Sequence, residues 1–132
     1  MTTYRDWAAL IGRILLGLMF VTSGWDKISG FAGTAGYIAS AGLPMPQVLA
    51  VVAILIEFVG GIMLIVGWQA RWAGLALSVF TLVAALGFHR YWDAPPANQM
   101  AESLNFWKNI SIAGGMLMVF ALGPGRISFD KG

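Results

Sequence analysis

The sequence predicts an all-α integral membrane protein, folded as a four-transmembrane-helix antiparallel bundle. Three observations carry that prediction. Of 132 residues, 58% are hydrophobic and 11% charged, where a typical soluble domain carries about 25% charge. Four long apolar runs punctuate the chain, and all six tryptophans fall at or near their ends. Indole prefers the membrane–water interface, because its ring wants apolar contact and its N–H wants a partner. A chain this short has a large surface for its volume, and eight basic and six acidic residues could not cover that surface in water. A soluble enzyme and a disordered protein are both excluded.

The first span is expected over residues 7–28 (WAALIGRILLGLMFVTSGW and the residues after it). Arg13 interrupts its apolar stretch and no small-x-small cleavage site follows, so it does not read as a signal peptide and is expected to be retained. The second span is expected over 46–68 and the third over 71–92. The fourth is placed at 103–123, although only 110–123 is strictly apolar. Crossing the hydrocarbon core takes about 20 helical residues. The longer reading therefore draws Asn105, Lys108 and Asn109 into or beside the membrane; the alternative is a short buried or re-entrant helix. The four spans together make one membrane domain, 1–132.

Residues 29–47 are rich in glycine, alanine and proline and predict an interfacial loop or short amphipathic helix. Residues 68–71 predict a tight turn between antiparallel neighbours. Pro95 and Pro96 are expected to end the third helix, and the tail GPGRISFDKG to leave the fourth at Gly123 and Pro124. With an even number of spans, both termini share a side with Arg5, Arg71, Arg126 and Lys131. Lys27 and Arg90 lie on the other, so the positive-inside rule places both termini in the cytoplasm.

The net charge of +2 includes no basic cluster of the kind nucleic-acid binding needs. Cysteine is absent and there is one histidine. Disulfides, thiolate metal sites, thiol catalysis and bis-histidine haem ligation within the chain are thereby removed, and no metal is expected. The seven methionines read as packing material.

Each span carries one small or polar face at helical spacing: Arg13, Gly17, Phe20 and Gly24; Ala50, Ala53, Glu57, Gly60, Gly61 and Gly67; Gly74, Ser78, Thr81, Ala85 and His89; Asn105, Lys108, Asn109, Ile112 and Gly115. Small residues let helices approach and polar ones bond across the interface in lipid, so these faces are expected inside the bundle. A charge near the bilayer centre costs at least about 2.5–3.5 kcal/mol on insertion scales and normally has a partner or a function. At 1.5 Å per residue, Glu57 lies about 16 Å from the loop-side start of the second helix and Arg13 roughly 9 Å from the terminal-side start of the first. In a core of about 30 Å their backbones differ by about 5 Å in height. Glu57 is therefore expected to face Arg13, with Lys108 approaching from the loop side or snorkelling outward. Two readings stand together: an ion pair that fixes helix register, or a group that handles protons or a polar ligand. His89, Asn105 and Lys108, with Asp26 and Lys27 at the same level, could bind the head of an amphipathic molecule or be solvated helix ends.

The segments GRILLGLMFVTSGWDKI, IEFVGGIMLIVG, GFHRYW, NFWKNISIAGGMLM and GPGRISFD, in that order and spacing, resemble the DoxX family of small bacterial membrane proteins. The resemblance implies a four-helix membrane bundle in a bacterial inner membrane, with Arg13, Glu57, His89, Lys108 and Asn109 as the polar positions to carry over. Relatives include the DoxD-type subunit of a thiosulfate:quinone oxidoreductase and members linked to thiol and oxidative-stress systems. Lacking cysteine, this chain departs from any member that works through its own thiols. The resemblance thus implies a membrane subunit of a quinone-linked oxidoreductase system, acting with a redox partner or a bound quinone, alone or as a homo-oligomer. Its ligand residues would be Arg13, Glu57, His89, Asn105, Lys108 and Asn109, with Glu57 the candidate catalytic group. The competing expectation is a non-catalytic scaffold or assembly protein whose buried charges only hold helices together.

Overall fold

Helical periodicity in the apolar runs becomes five α-helices in a computed structural model that describes residues 3–132. Helix α1 spans Tyr4–Ser29, α2 Phe31–Ser40, α3 Pro46–Val66, α4 Ala70–Phe88 and α5 Gln99–Leu122. At the first turn the Thr3 amide donates to the Asp6 carboxylate at 2.8 Å, which satisfies an otherwise orphan donor. Pro46 sits at the start of α3, where its fixed φ suits a first turn. Within α3 the residues Leu55–Val59 form a π turn that includes Glu57.

Packing follows small residues. Gly17 of α1 and Gly61 of α3 meet backbone to backbone: a Cβ on Gly17 would lie 2.9 Å from the Gly61 carbonyl oxygen. Gly24 abuts Phe58 in the same way, so α1 and α3 run antiparallel with Gly17 opposite Gly61 and Gly24 opposite Phe58. Helices α4 and α5 share the most extensive interface, crossed by a hydrogen bond from Ser78 Oγ to the Ala113 carbonyl at 2.9 Å. Phe20, Leu64, Leu77 and Met116, one from each long helix, form the central cluster, with Leu16, Ile56, Ile112 and Val119 against it.

The outer surface is apolar. All six tryptophans are exposed, as are Ile11, Leu15, Val59, Val83, Leu117 and Leu122. A water-soluble monomer does not expose so much contiguous apolar surface. Three helices are long and apolar enough to cross a membrane: Tyr4–Ser29, Pro46–Val66 and, with its following turn, Ala70–Asp93. Helix α5 has 24 residues, but its first half carries Gln99, Glu102, Asn105 and Lys108.

The glycine-rich connection takes one of its two expected forms, a short helix, α2, which buries Ala35 and Ile38; the departures lie at the end of α4 and in α5. Helix α4 ends at Phe88, with His89 outside helical geometry; Pro95 and Pro96 shape the short 3₁₀ turns that follow instead of stopping the helix. The polar faces assigned to the first three spans supply most of the buried positions of α1, α3 and α4. In α5, however, the buried residues are Phe106, Ala113 and Met116, while Lys108 is exposed and Asn105 and Asn109 are half-buried. One residue turns a helix face by about 100°, and apolar packing on α4 won that competition over the neighbouring polar stripe.

Candidate functional site

The expected pairing of Arg13 with Glu57 does not form. Both residues are buried, at 2% and 3% exposure over the whole residue, but each has other partners. The antiparallel register puts Arg13 beside the end of α3, whereas Glu57 lies opposite the stretch of α1 that carries Gly24 and Lys27. Heights counted from each helix start assume that both helices begin at the faces of one slab. Their relative position is set instead by the Gly17–Gly61 and Gly24–Phe58 contacts, which slide α1 toward the terminal end.

Glu57 pairs with Lys27. The Lys27 ammonium lies 2.8 Å from Glu57 Oε1 and donates to Ser23 Oγ at 2.9 Å. Glu57 Oε1 is buried, and the Lys27 ammonium is the partner that compensates it. Glu57 is 5% exposed and Lys27 28%, which leaves Lys27 as the open flank of the pair. A π turn inside an α-helix adds a residue and re-aims side chains, and such turns recur at functional sites. Here the turn holds the one buried carboxylate among the described residues.

Arg13 serves the backbone. Its Nε donates to the Pro124 carbonyl at 2.9 Å and Nη1 to the Leu64 and Ile65 carbonyls at 3.0 and 2.8 Å; Nη2 donates to the Ile127 carbonyl. The last carbonyls of a helix have no intrahelical donor. In α3 every one finds a substitute. The Met63 carbonyl takes the Gly67 and Trp68 amides, the Leu64 and Ile65 carbonyls take Arg13, and the Val66 carbonyl takes the Phe129 amide. The tail continues: the Asp130 amide donates to the Gly67 carbonyl, and the Asp130 carboxylate accepts from the Gln69 and Ala70 amides at 3.0 and 2.9 Å, capping α4. Gly67 has φ +76°, and a Cβ there would lie 2.3 Å from Ser128 Cβ. The closing segment is thus a plug over the α3–α4 turn. Four of the five guanidinium donors are in use, so Arg13 has little left for a ligand.

At the loop end, His89 Nδ1 lies 3.3 Å from Glu102 Oε2, and Tyr37 of α2 stacks on Phe88 at 5.1 Å. Tyr37 is 54% exposed, but partial desolvation of its phenol pushes its pKa up and the Glu102 carboxylate adds to the shift. Lys108 donates to Asn105 Oδ1 at 3.4 Å on the exposed side of α5. His89 therefore joins Glu102, and Asn105 joins Lys108, as two pairs where one cluster was expected. Neither Lys108 nor Asn109 contacts Glu57. Sequence reasoning missed Lys27 as Glu57's partner and Asp130 as a cap. The Ser23–Lys27 spacing of four and Gly24, three residues before Lys27, were the available signals for the first.

A buried ion pair in a close-packed, lipid-facing helical protein is the setting in which relatives become informative. The sequence profile of the DoxX family matches residues 8–90. The chain belongs to the DoxX family. Among DoxX-related proteins, it is similar to the inner membrane protein YphA of Escherichia coli, 39% identical over 92% of this chain and 87% of that protein. It is also similar to the inner membrane protein YqjF of Escherichia coli, 37% identical over 99% and 95%. A shorter match, 34% identical over 58% of this chain and 55% of the relative, links this DoxX protein to the putative oxidoreductase CatD of Bacillus subtilis. No solved structure matches it.

Proposed function

We propose that this DoxX protein resides in the inner membrane with all four long helices crossing as an antiparallel bundle and both termini cytoplasmic. In this reading it is a membrane subunit of a quinone-linked oxidoreductase system, binding a quinone or similar amphipathic ligand beside Glu57. The observation that carries the reading is the Glu57–Lys27 pair, a carboxylate and an ammonium inside apolar helices at a π turn. The names of YphA and YqjF support the location, and the name of CatD supports the redox link. The basic residues Arg5, Arg71, Arg126 and Lys131 on the terminal side support the orientation.

The residues suit such a ligand. Lys27 and Ser23 offer donors to a ring oxygen, and Glu57 can take or give a proton. A bound quinone would supply two-electron redox chemistry, with electrons from a partner protein. His89, Asn105, Lys108 and Asn109 lie on the loop side, where they would meet a polar head entering from that face; Arg13 drops out of the ligand set. The Arg13 network favours a second reading, a scaffold whose buried charges are structural, because all four of its bonds go to backbone. Extraction of gently purified protein decides between them. Near-stoichiometric quinone that is lost in Glu57→Gln and Lys27→Met, both still folded, supports the subunit. Absence of quinone together with stable capture of a partner supports the scaffold.

A further inference from the structure

A second site lies at the loop end and stands independently of the quinone reading. Where α4 stops and α5 starts, an open cleft of about 270 Å³ is lined by Gly87, Phe88, Arg90, Asp93, Asn98 and Glu102, among others. Gly87 and Phe88 close α4, and their carbonyls take no backbone amide among the described residues. A helix C-terminus carries the negative pole of the helix dipole and favours a cation. The Glu102 side chain is 27% exposed and meets His89 through Oε2, which leaves Oε1 for another donor. Arg90 and Asp93 stand further out, at 55% and 59% exposure and 3.7 Å apart. So open a pair holds weakly, and a guanidinium matches the oxygens of a phosphate two at a time. Two carboxylates against one guanidinium disfavour a simple anion; they call for a positive group on the same ligand. The candidate membrane span of α4 runs through the following turn to Asp93, and Trp92 beside it is exposed, as an interfacial indole is. The cleft therefore opens at the level of lipid head groups.

From this arrangement we propose that the cleft binds a primary ammonium joined to a phosphate, as in the head of an ethanolamine phospholipid or in free phosphoethanolamine, with the ammonium at Glu102 and the end of α4 and the phosphate on Arg90. A primary ammonium brings three donors to these acceptors. The quaternary ammonium of a choline head brings none, and a glycerol head brings no positive charge. A hydrogen bond to a charged group corresponds to a discrimination of about ten- to a hundredfold.

The test is retention of defined lipids by the full chain in detergent, read by native mass spectrometry, for ethanolamine, choline and glycerol phospholipids of identical acyl chains. The expected result is retention of the ethanolamine lipid about tenfold or more above both others. Glu102→Gln should bring the ethanolamine-to-choline ratio toward unity. Arg90→Gln should weaken both of those lipids and leave their ratio standing. Should either variant not fold, the wild-type ratios are themselves decisive. Free O-phosphoethanolamine, added to the same samples, separates the sources. Lipid selectivity supports the phospholipid head, and binding of the free compound without lipid selectivity supports a soluble ligand of the same chemistry. Equal retention of the choline or glycerol lipid by the wild type, with no binding of free O-phosphoethanolamine, overturns the inference and leaves the quinone reading untouched.

Discussion

Replacing Arg13 by methionine tests how the terminal end of the molecule is held. The perturbation removes four hydrogen bonds to backbone carbonyls and keeps most of the side-chain volume. Two of the acceptors, at Leu64 and Pro124, are buried, and two, at Ile65 and Ile127, are partly buried. A buried acceptor left without a donor costs about 1–3 kcal/mol. The two buried carbonyls alone therefore correspond to about 2–6 kcal/mol. That is a large share of a typical stability of about 5–15 kcal/mol. Arg13→Lys should recover part of the loss, because a compact ammonium cannot reach carbonyls on both α3 and the tail. Deleting residues 124–132 removes two of the same acceptors, so the deletion and Arg13→Met should be non-additive by about 1–3 kcal/mol. Lys27, where Glu57 pairs, is about 21 Å along α1 from Arg13. Arg13→Met and Glu57→Gln should accordingly add within about 0.5 kcal/mol, with no rescue in the double variant. Reversible unfolding in mixed micelles, followed by circular dichroism, gives each value. An Arg13→Met variant as stable as wild type, or full additivity with the tail deletion, would refute this account of the terminal end.

Gly67→Ala should cost about 2 kcal/mol or more, from its left-handed backbone and from the tail it displaces, while Gly12→Ala, with nothing within 4 Å of the new methyl, should be neutral or stabilising; the same unfolding experiment compares them. Ultraviolet titration of wild type against Tyr37→Phe should show the Tyr37 phenol ionising above its ordinary value of 10. Glu102→Gln should lower that midpoint without fully restoring it, since desolvation of the partly covered phenol is the larger cause; a midpoint at the ordinary value in wild type would contradict the shift. Because the folded state holds this proton more tightly, its contribution to stability is complete below about pH 10 and declines as pH rises through the folded value. Reporter fusions at Lys131 and in the loop between Pro95 and Asn98 should give cytoplasmic and external signals respectively, and the reverse pattern would invert the proposed topology.

Much of the fold is legible locally. The buried residues of α1, namely Arg13, Gly17, Phe20 and Gly24, are the small and polar face that periodicity picks out. Periodicity likewise reaches Glu57 and Gly61 in α3, Gly67 just after it, and Gly74, Ser78, Thr81 and Ala85 in α4. In α5 it fails, because the polar residues at helical spacing lie beside the apolar stripe that packs inward. For α2, a ten-residue helix, the sequence left a loop and a short helix both open, and packing on its neighbours selects the helix.

The sequence by itself determined that this is a helical membrane protein, which helix faces of α1, α3 and α4 turn inward, and that Arg13 and Glu57 are buried charges. Those properties depend on residue type and on a spacing of a few positions along one helix. Only the tertiary structure decided which groups meet. Register between α1 and α3 depends on two glycine contacts at Gly17 and Gly24, and it moves Glu57 away from Arg13 to Lys27. The bonds from Arg13 to Pro124 and Ile127 join residues 111 and 114 positions apart, and they exist because the last carbonyls of α3 lack donors of their own. A buried charge can be read from one helix; its partner is chosen by how another helix, or a returning tail, packs against it.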